Sequence, residues 1–223
     1  MKYRKVIDAK FINRPNRFIA EVEIPERGRE IVHVKNTGRC KELLIPGVDV
    51  ILEESDNPNR KTKYDLIAVS KKGMGWINID SQAPNKVVYE WLEKQGYSYI
   101  KPEYKYGNSR IDFYMERENS KYLMEVKGCT LEIDRIGYFP DAPTERGVKH
   151  LRELTLATKK GYKCIIAFVI QMEGITEVRP NISTHPEFGI ALKEAKDAGV
   201  EIWYMPCRVM PDELFIERQL TCR

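Results

Sequence analysis

Apolar and polar residues alternate, or nearly so, over residues 5–12, 17–24 and 30–35. A period of two predicts half-buried strands. Further strands are expected at 48–53, 64–69 and 76–79, with turns rich in Asn, Gly and Pro between them. Residues 38–44, after the third strand, are expected to form one or two helical turns. Short strands with a small helix after the third predict a compact β-barrel, preferably OB-like, over residues 1–80.

The pattern changes after the linker at 81–85. Val87, Val88, Trp91 and Leu92 repeat at helical spacing, which predicts a helix over 85–95 stopped by Gly96. Residues 97–106 are expected to form a strand. A helix capped by Asp141 or Thr144 is expected to run to Lys160. The apolar run from Cys164 to Ile170 has the character of a buried strand in a parallel or mixed sheet. A helix over 186–198 and a strand over 200–205 complete an α-β-β-β-α-β-α-β order. Residues 85–223 should therefore form a second module, a mixed sheet flanked by helices.

Within that module, residues 109–128 predict a β-hairpin. Ile111, Phe113 and Met115 alternate with Asp112, Tyr114 and Glu116 on one side of a polar turn. Tyr122, Met124 and Val126 alternate with Leu123, Glu125 and Lys127 on the other. Glu125 and Lys127 share a face of their strand. Antiparallel pairing brings Asp112 toward Glu125, so two carboxylates and an ammonium meet. Two carboxylates suffice for Mg²⁺ or Mn²⁺, because such an ion keeps several waters and phosphate oxygens. The metal would polarise a phosphodiester, and Lys127 would orient water or stabilise negative charge. The same residues also describe the solvent face of an ordinary hairpin.

Composition removes several classes. The charged fraction of 31% argues against a membrane protein, and the longest apolar run is too short to span a bilayer. The N-terminal stretch has no signal-peptide core, so a cytoplasmic protein is expected. The five cysteines are scattered without a CxxC pair, and the three histidines show no metal spacing. No phosphate-binding Gly-rich loop or nucleophile elbow is present. Residues 1–80 hold 16 basic and 12 acidic residues and the rest 21 of each, so the net +4 lies in the first module. Three loops there combine Arg, Lys and Asn: Arg14, Asn16 and Arg17; Asn36 and Arg39; Arg60 and Lys61. Such side chains contact phosphate and sugar, while Asn, Gly and Pro also serve turns.

The order of elements with Asp112 and the Glu125-x-Lys127 motif resembles the PD-(D/E)XK nuclease superfamily. The segments NRPNRF, NTGRCKELLIPG, NPNRKT, EYKYGNSRIDF, EVKGCTLE and YFPDAPTERGVKHLREL resemble the sugar fermentation stimulation protein A family along nearly the whole chain. That resemblance implies an N-terminal OB-like domain, a nuclease-like C-terminal domain and DNA as partner. It places Asp112, Glu125 and Lys127 at the catalytic positions, with Asp112, Glu125 and the Val126 carbonyl as metal ligands. Glu90 stands where some superfamily members carry an acid on the first helix, and Gln171 where some carry a glutamine. Glu103, Arg146 and Lys149 fall in family-like stretches with no assigned role. The implied function is DNA binding with a metal-dependent nuclease site. The alternative is a non-catalytic DNA-binding regulator of sugar (maltose) metabolism genes.

Overall fold

The structure is a computed structural model that describes residues 1–36 and 38–222. Thr37, in the loop that carries Asn36 and Arg39, lies outside the described residues. Six strands come first: β1 (Val6–Asn16), β2 (Ile19–Ile24), β3 (Gly28–Val34), β4 (Asp49–Glu54), β5 (Tyr64–Lys71) and β6 (Gly75–Asn78). They pair in the order β3-β2-β1-β4-β5-β6, and a parallel contact between β3 and β5 closes the ring. β1 to β5 thus form the five-stranded OB barrel, and closure removes the open edges of β3 and β5. Alternate residues fill it: Ala9 and Phe11, Val22 and Ile24, Val32 and Val34, Val50 and Leu52 are all buried. Asn16 makes the β1–β2 turn, its Oδ1 accepting from the backbone N–H groups of Phe18 and Ile19.

Of the one or two helical turns expected over 38–44, one forms, closed by a bond from Leu44 N to Cys40 O of 2.9 Å. Cys40 sits at φ +46°, a left-handed value that keeps right-handed winding from starting before it. The carbonyls of Gly38 and Arg39 are also taken by the Arg14 guanidinium. These bonds confine the winding to residues 40–44.

The second part contains α1 (Ala83–Leu92), β7 (Tyr99–Tyr106), β8 (Ser109–Arg117), β9 (Ser120–Cys129), β10 (Leu131–Ile133), β11 (Ile136–Phe139), α2 (Glu145–Thr158), β12 (Lys163–Ile170), β13 (Val178–Pro180), α3 (Pro186–Asp197), β14 (Glu201–Met210), β15 (Glu213–Ile216) and β16 (Leu220–Thr221). The main sheet runs β15-β14-β12-β9-β8-β7, with β16 on β14. β9, β12 and β14 are parallel, while β7, β8 and β9 form antiparallel hairpins. The sheet is mixed, as expected. α1 begins two residues earlier than its apolar stripe predicts, because Pro84 suits a first helical turn. Thr144 is the cap of α2: its Oγ1 accepts from Gly147 N at 3.1 Å. The small sheet β10-β11-β13 lies outside the expected strands; its members are three or four residues long and β11 falls in the irregular stretch before α2.

The sheet separates two apolar layers. Phe113, Met124 and Val126 pack with α1 residues Val87, Val88 and Leu92. Leu123, Ile166 and Phe168 pack with α2 and α3 in a cluster that continues into the barrel interior. The two parts also interlock through polar groups. Gln171, just after β12, is buried; its Nε2 donates to Asn78 Oδ1 at 2.9 Å and to Asp80 O at 3.1 Å. The backbone N–H of Asn78 in turn donates to Gln171 O. Replacing Gln171 by Ala removes two buried hydrogen bonds, although Asn78 Oδ1 and Asp80 O each keep a backbone donor, Asp80 N and Ala83 N. Urea denaturation should show a loss of about 1–3 kcal/mol, whereas a surface change such as Lys193→Ala should be near neutral.

Candidate metal and catalytic site

Asp112 interrupts the pattern of its strand. The β8–β9 ladder is regular from Arg117 to Phe113 and ends there. On the other side, the β7–β8 ladder skips the pair Glu103–Asp112, and Glu103 has φ +54°. Such a value in a non-glycine residue stores strain and is often found at functional sites. Phe113 and Met115 face the α1 layer, but Ile111 joins the α2 layer. The strand therefore rotates at Asp112, and the strict alternation read from sequence fails at that residue.

The rotation lets the Asp112 carboxylate replace the missing ladder bond. Its Oδ2 accepts from the backbone N–H of Val126 at 2.7 Å. Its Oδ1 accepts from Asn85 Nδ2, on α1, at 2.8 Å. Asn85, rather than Glu90, is thus the α1 side chain that meets this acid. Burial, then the nearby Glu125 charge, raise the Asp112 pKa above its ordinary value.

Glu125 is 3% exposed. Its Oε1 accepts from Lys127 Nζ at 2.6 Å and forms a short contact with His150 Nδ1. Its Oε2 is buried and has no hydrogen-bond partner. Burial raises the Glu125 pKa, but the His150 hydrogen bond and the Lys127 charge outweigh it, so the net shift is downward. His150 Nε2 accepts from Arg146 Nε at 3.4 Å. With that nitrogen an acceptor, the ring proton lies on Nδ1 and is donated to Glu125.

An unpartnered, ionised carboxylate oxygen in a buried site is costly. Asp112 beside it adds a second charge that its partners do not balance. These donors are hard oxygens, the kind a hard divalent cation takes. Among the described residues no three His, Cys, Asp or Glu side chains form a complete ligand set. Such a site would rely on water and phosphate oxygens for the remaining positions.

The other expected residues divide. Glu103 and Glu90 line one cleft with Asp112, Asn85 and Tyr89. Glu90 is tied to the Met1 ammonium at 2.8 Å, and Glu103 to Arg110 at 3.0 Å. Gln171 serves the joint described above and lines a different cleft with Gly128. A Cβ on Gly128 would stand 2.5 Å from Gln171 Oε1 and 2.9 Å from Pro84 Cγ, so the position after Lys127 requires glycine. His150 was missed because its spacing carries no metal signal. Its place in the TERGVKH segment was the available clue.

In the barrel, the loops of Arg14–Arg17 and Asn36–Arg39 come together, while Arg60 and Lys61 stand apart. Arg14 is committed to the protein: its terminal nitrogens donate to the carbonyls of Arg17, Asn36, Gly38 and Arg39. Asn36 Nδ2 donates to Ile79 O and its Oδ1 accepts from Gly38 N. Arg60 makes a two-pronged pair with Asp65 at 2.5 and 2.8 Å. Arg17, Arg39 and Lys61 are exposed.

Asp65 anchors a further network with His33 and Lys35. Burial raises its pKa, but the Arg60 and His33 hydrogen bonds prevail and lower it from 3.8 to about 2. A depressed carboxyl stabilises the fold above the unfolded pKa and loses that contribution as pH falls through the folded value. Denaturant titrations should therefore show stability dropping between about pH 4 and pH 2. In Asp65→Asn this component of the drop should be missing.

Comparisons with known proteins agree along the chain. The family description "Sugar fermentation stimulation protein RE domain" matches residues 82–213, and "SfsA N-terminal OB domain" matches residues 12–79. A sugar fermentation stimulation protein homolog of Clostridium beijerinckii is 54% identical over 220 residues, 97% of this chain and 96% of the relative. One of Desulfitobacterium hafniense is 55% identical over 217 residues, 96% and 94% respectively. A solved structure described as Pyrococcus furiosus SfsA in complex with Ca²⁺ superposes with a TM-score of 0.86 at 29% identity. It covers 99% of this chain and 96% of that one.

Proposed function

This chain belongs to the sugar fermentation stimulation protein family, and on that premise we propose that it binds DNA and cleaves it with Mg²⁺ or Mn²⁺. The observation that carries this reading is the buried Glu125 Oε2 without a partner beside the buried Asp112. The Ca²⁺ in the description of the Pyrococcus furiosus neighbour supports a hard-cation site of this kind. Asp112, Glu125 and the Val126 carbonyl would hold the ion. When bound, it supplies Lewis-acid polarisation of the phosphodiester and a more acidic water.

The chain's own residues arrange the rest. The Val126 N–H and Asn85 fix the Asp112 carboxylate. Lys127 and His150 hold Glu125 Oε1 and so turn Oε2 away from them. Lys127 is 14% exposed, close enough to solvent to orient the attacking water or meet charge developing on the phosphate. The barrel belongs to a fold that often binds oligonucleotides. There Arg17, Arg39 and Lys61 carry the phosphate contacts, and Arg14, Asn16 and Asn36 shape the loop that presents them. A cytoplasmic setting goes with this reading: among the described residues Cys40, Cys129, Cys164 and Cys207 are buried thiols outside any disulfide. No described helix is long and apolar enough to cross a membrane.

One observation favours the second reading, a non-catalytic DNA-binding regulator of sugar (maltose) metabolism genes. Lys127 already pairs with Glu125, which partly neutralises the site without a metal. Calorimetric titration with Mn²⁺, paired with cleavage assays on single-stranded DNA, double-stranded DNA and RNA, separates the two. Asp112→Asn and Glu125→Gln should each lose Mn²⁺ binding and cleavage. Lys127→Ala should keep Mn²⁺ binding and lose roughly a hundredfold or more in rate, the scale of removing one transition-state donor. A wild type that binds no Mn²⁺ with DNA present and cleaves none of these substrates would leave the regulator reading in its place, whereas a Lys127→Ala variant as fast as wild type would remove the role given to Lys127.

A further inference from the structure

We propose that the cleft between the start of β8 and the first turns of α2 holds a phosphate of the bound nucleic-acid strand. This rests on the nucleic-acid reading above and gives the strand a position next to the acids. Ser109 and Arg110 from β8 line one side, Arg146 and Lys149 from α2 the other, and the buried His150 lies between them. The cleft also includes exposed Glu145 at its rim, which sits 3.3 Å from His185 Nε2.

The arrangement of Arg146 decides the ligand class. Its Nε is held by His150 Nε2. Among the described residues its terminal nitrogens have no protein partner, and Arg146 is exposed. An anchored guanidinium with both terminal nitrogens available is suited to two-pronged contact with phosphate. Lys149 adds a mobile point charge, 3.9 Å from Glu153 Oε1 and mostly exposed. Ser109 Oγ already holds that carboxylate at 2.7 Å, which leaves the Lys149 ammonium weakly engaged. Arg110 pairs with Glu103 at 3.0 Å, and both are exposed, so solvent screens the pair.

Position decides which phosphate. Arg146 reaches His150, and His150 reaches Glu125. The cleft is therefore two side chains from the acids. A strand whose reacting phosphodiester meets Asp112 and Glu125 can place a neighbouring phosphate against Arg146 and Lys149. The barrel offers less than its loops suggest, because Arg14 and Arg60 are held by protein groups. Arg146 and Lys149 supply cationic contacts in the second part of the chain.

Fluorescence anisotropy of a short labelled single-stranded DNA, titrated with salt in EDTA, tests this without cleavage. Arg146→Gln and Lys149→Gln should each lower the slope of log K against log salt by about 0.7, with urea midpoints unchanged. Slopes equal to wild type in both variants would overturn the proposal. Wild type that binds DNA with these slopes but cleaves none with Mn²⁺ sustains the cleft and removes the nuclease reading. If wild type binds no DNA, thermal shift with inorganic phosphate decides. Stabilisation lost in Arg146→Gln sustains a phosphate site, and no stabilisation of wild type overturns it.

Discussion

The second part of the chain is arranged around one buried carboxylate. Glu125 lies in a central strand of a mixed sheet, nearly out of reach of water. Burial alone would push it toward its neutral form. Lys127 and His150 prevent this by donating to one oxygen, and the other oxygen is left with acceptor capacity and no donor. The sheet interior positions one donor: Lys127 lies two residues along the same strand, on the same face. α2 supplies the second. Its Thr144 cap fixes where the helix begins, and His150 then comes over β9.

The period-two and helical-period signals carried most of the fold. The barrel strands, the hairpin, α2, β12 and α3 all have apolar residues where a pleat or a helical face requires them. What was not legible falls into two kinds. The strands β10, β11, β13, β15 and β16 are two to four residues long, too short for a period to register. The rotation at Asp112 depends on non-local bonds, to Val126 and Asn85, of which local sequence carries no record.

The site was legible to a similar degree and for similar reasons. Glu125 and Lys127 share a face by alternation, whereas Asp112 reaches the site through the rotation of its strand, which alternation does not carry. His150 and Asn85 reach the site from helices, so strand spacing is silent about them. In the barrel, residue type was a poor guide to role. Arg14 and Arg60 look like phosphate contacts by composition, yet a guanidinium also satisfies carbonyls and carboxylates within a fold. Geometry assigns them to the protein and leaves Arg17, Arg39 and Lys61 facing solvent.

We propose that Glu125 Oε2 and Asp112 form a cation site. Crystals grown with Mn²⁺ and measured for anomalous scattering test it most directly. One strong peak is expected in contact with Glu125 Oε2, a carboxylate oxygen of Asp112 and the Val126 carbonyl. The peak should disappear in Glu125→Gln. Manganese found only elsewhere, or a peak that persists in Glu125→Gln, would contradict it.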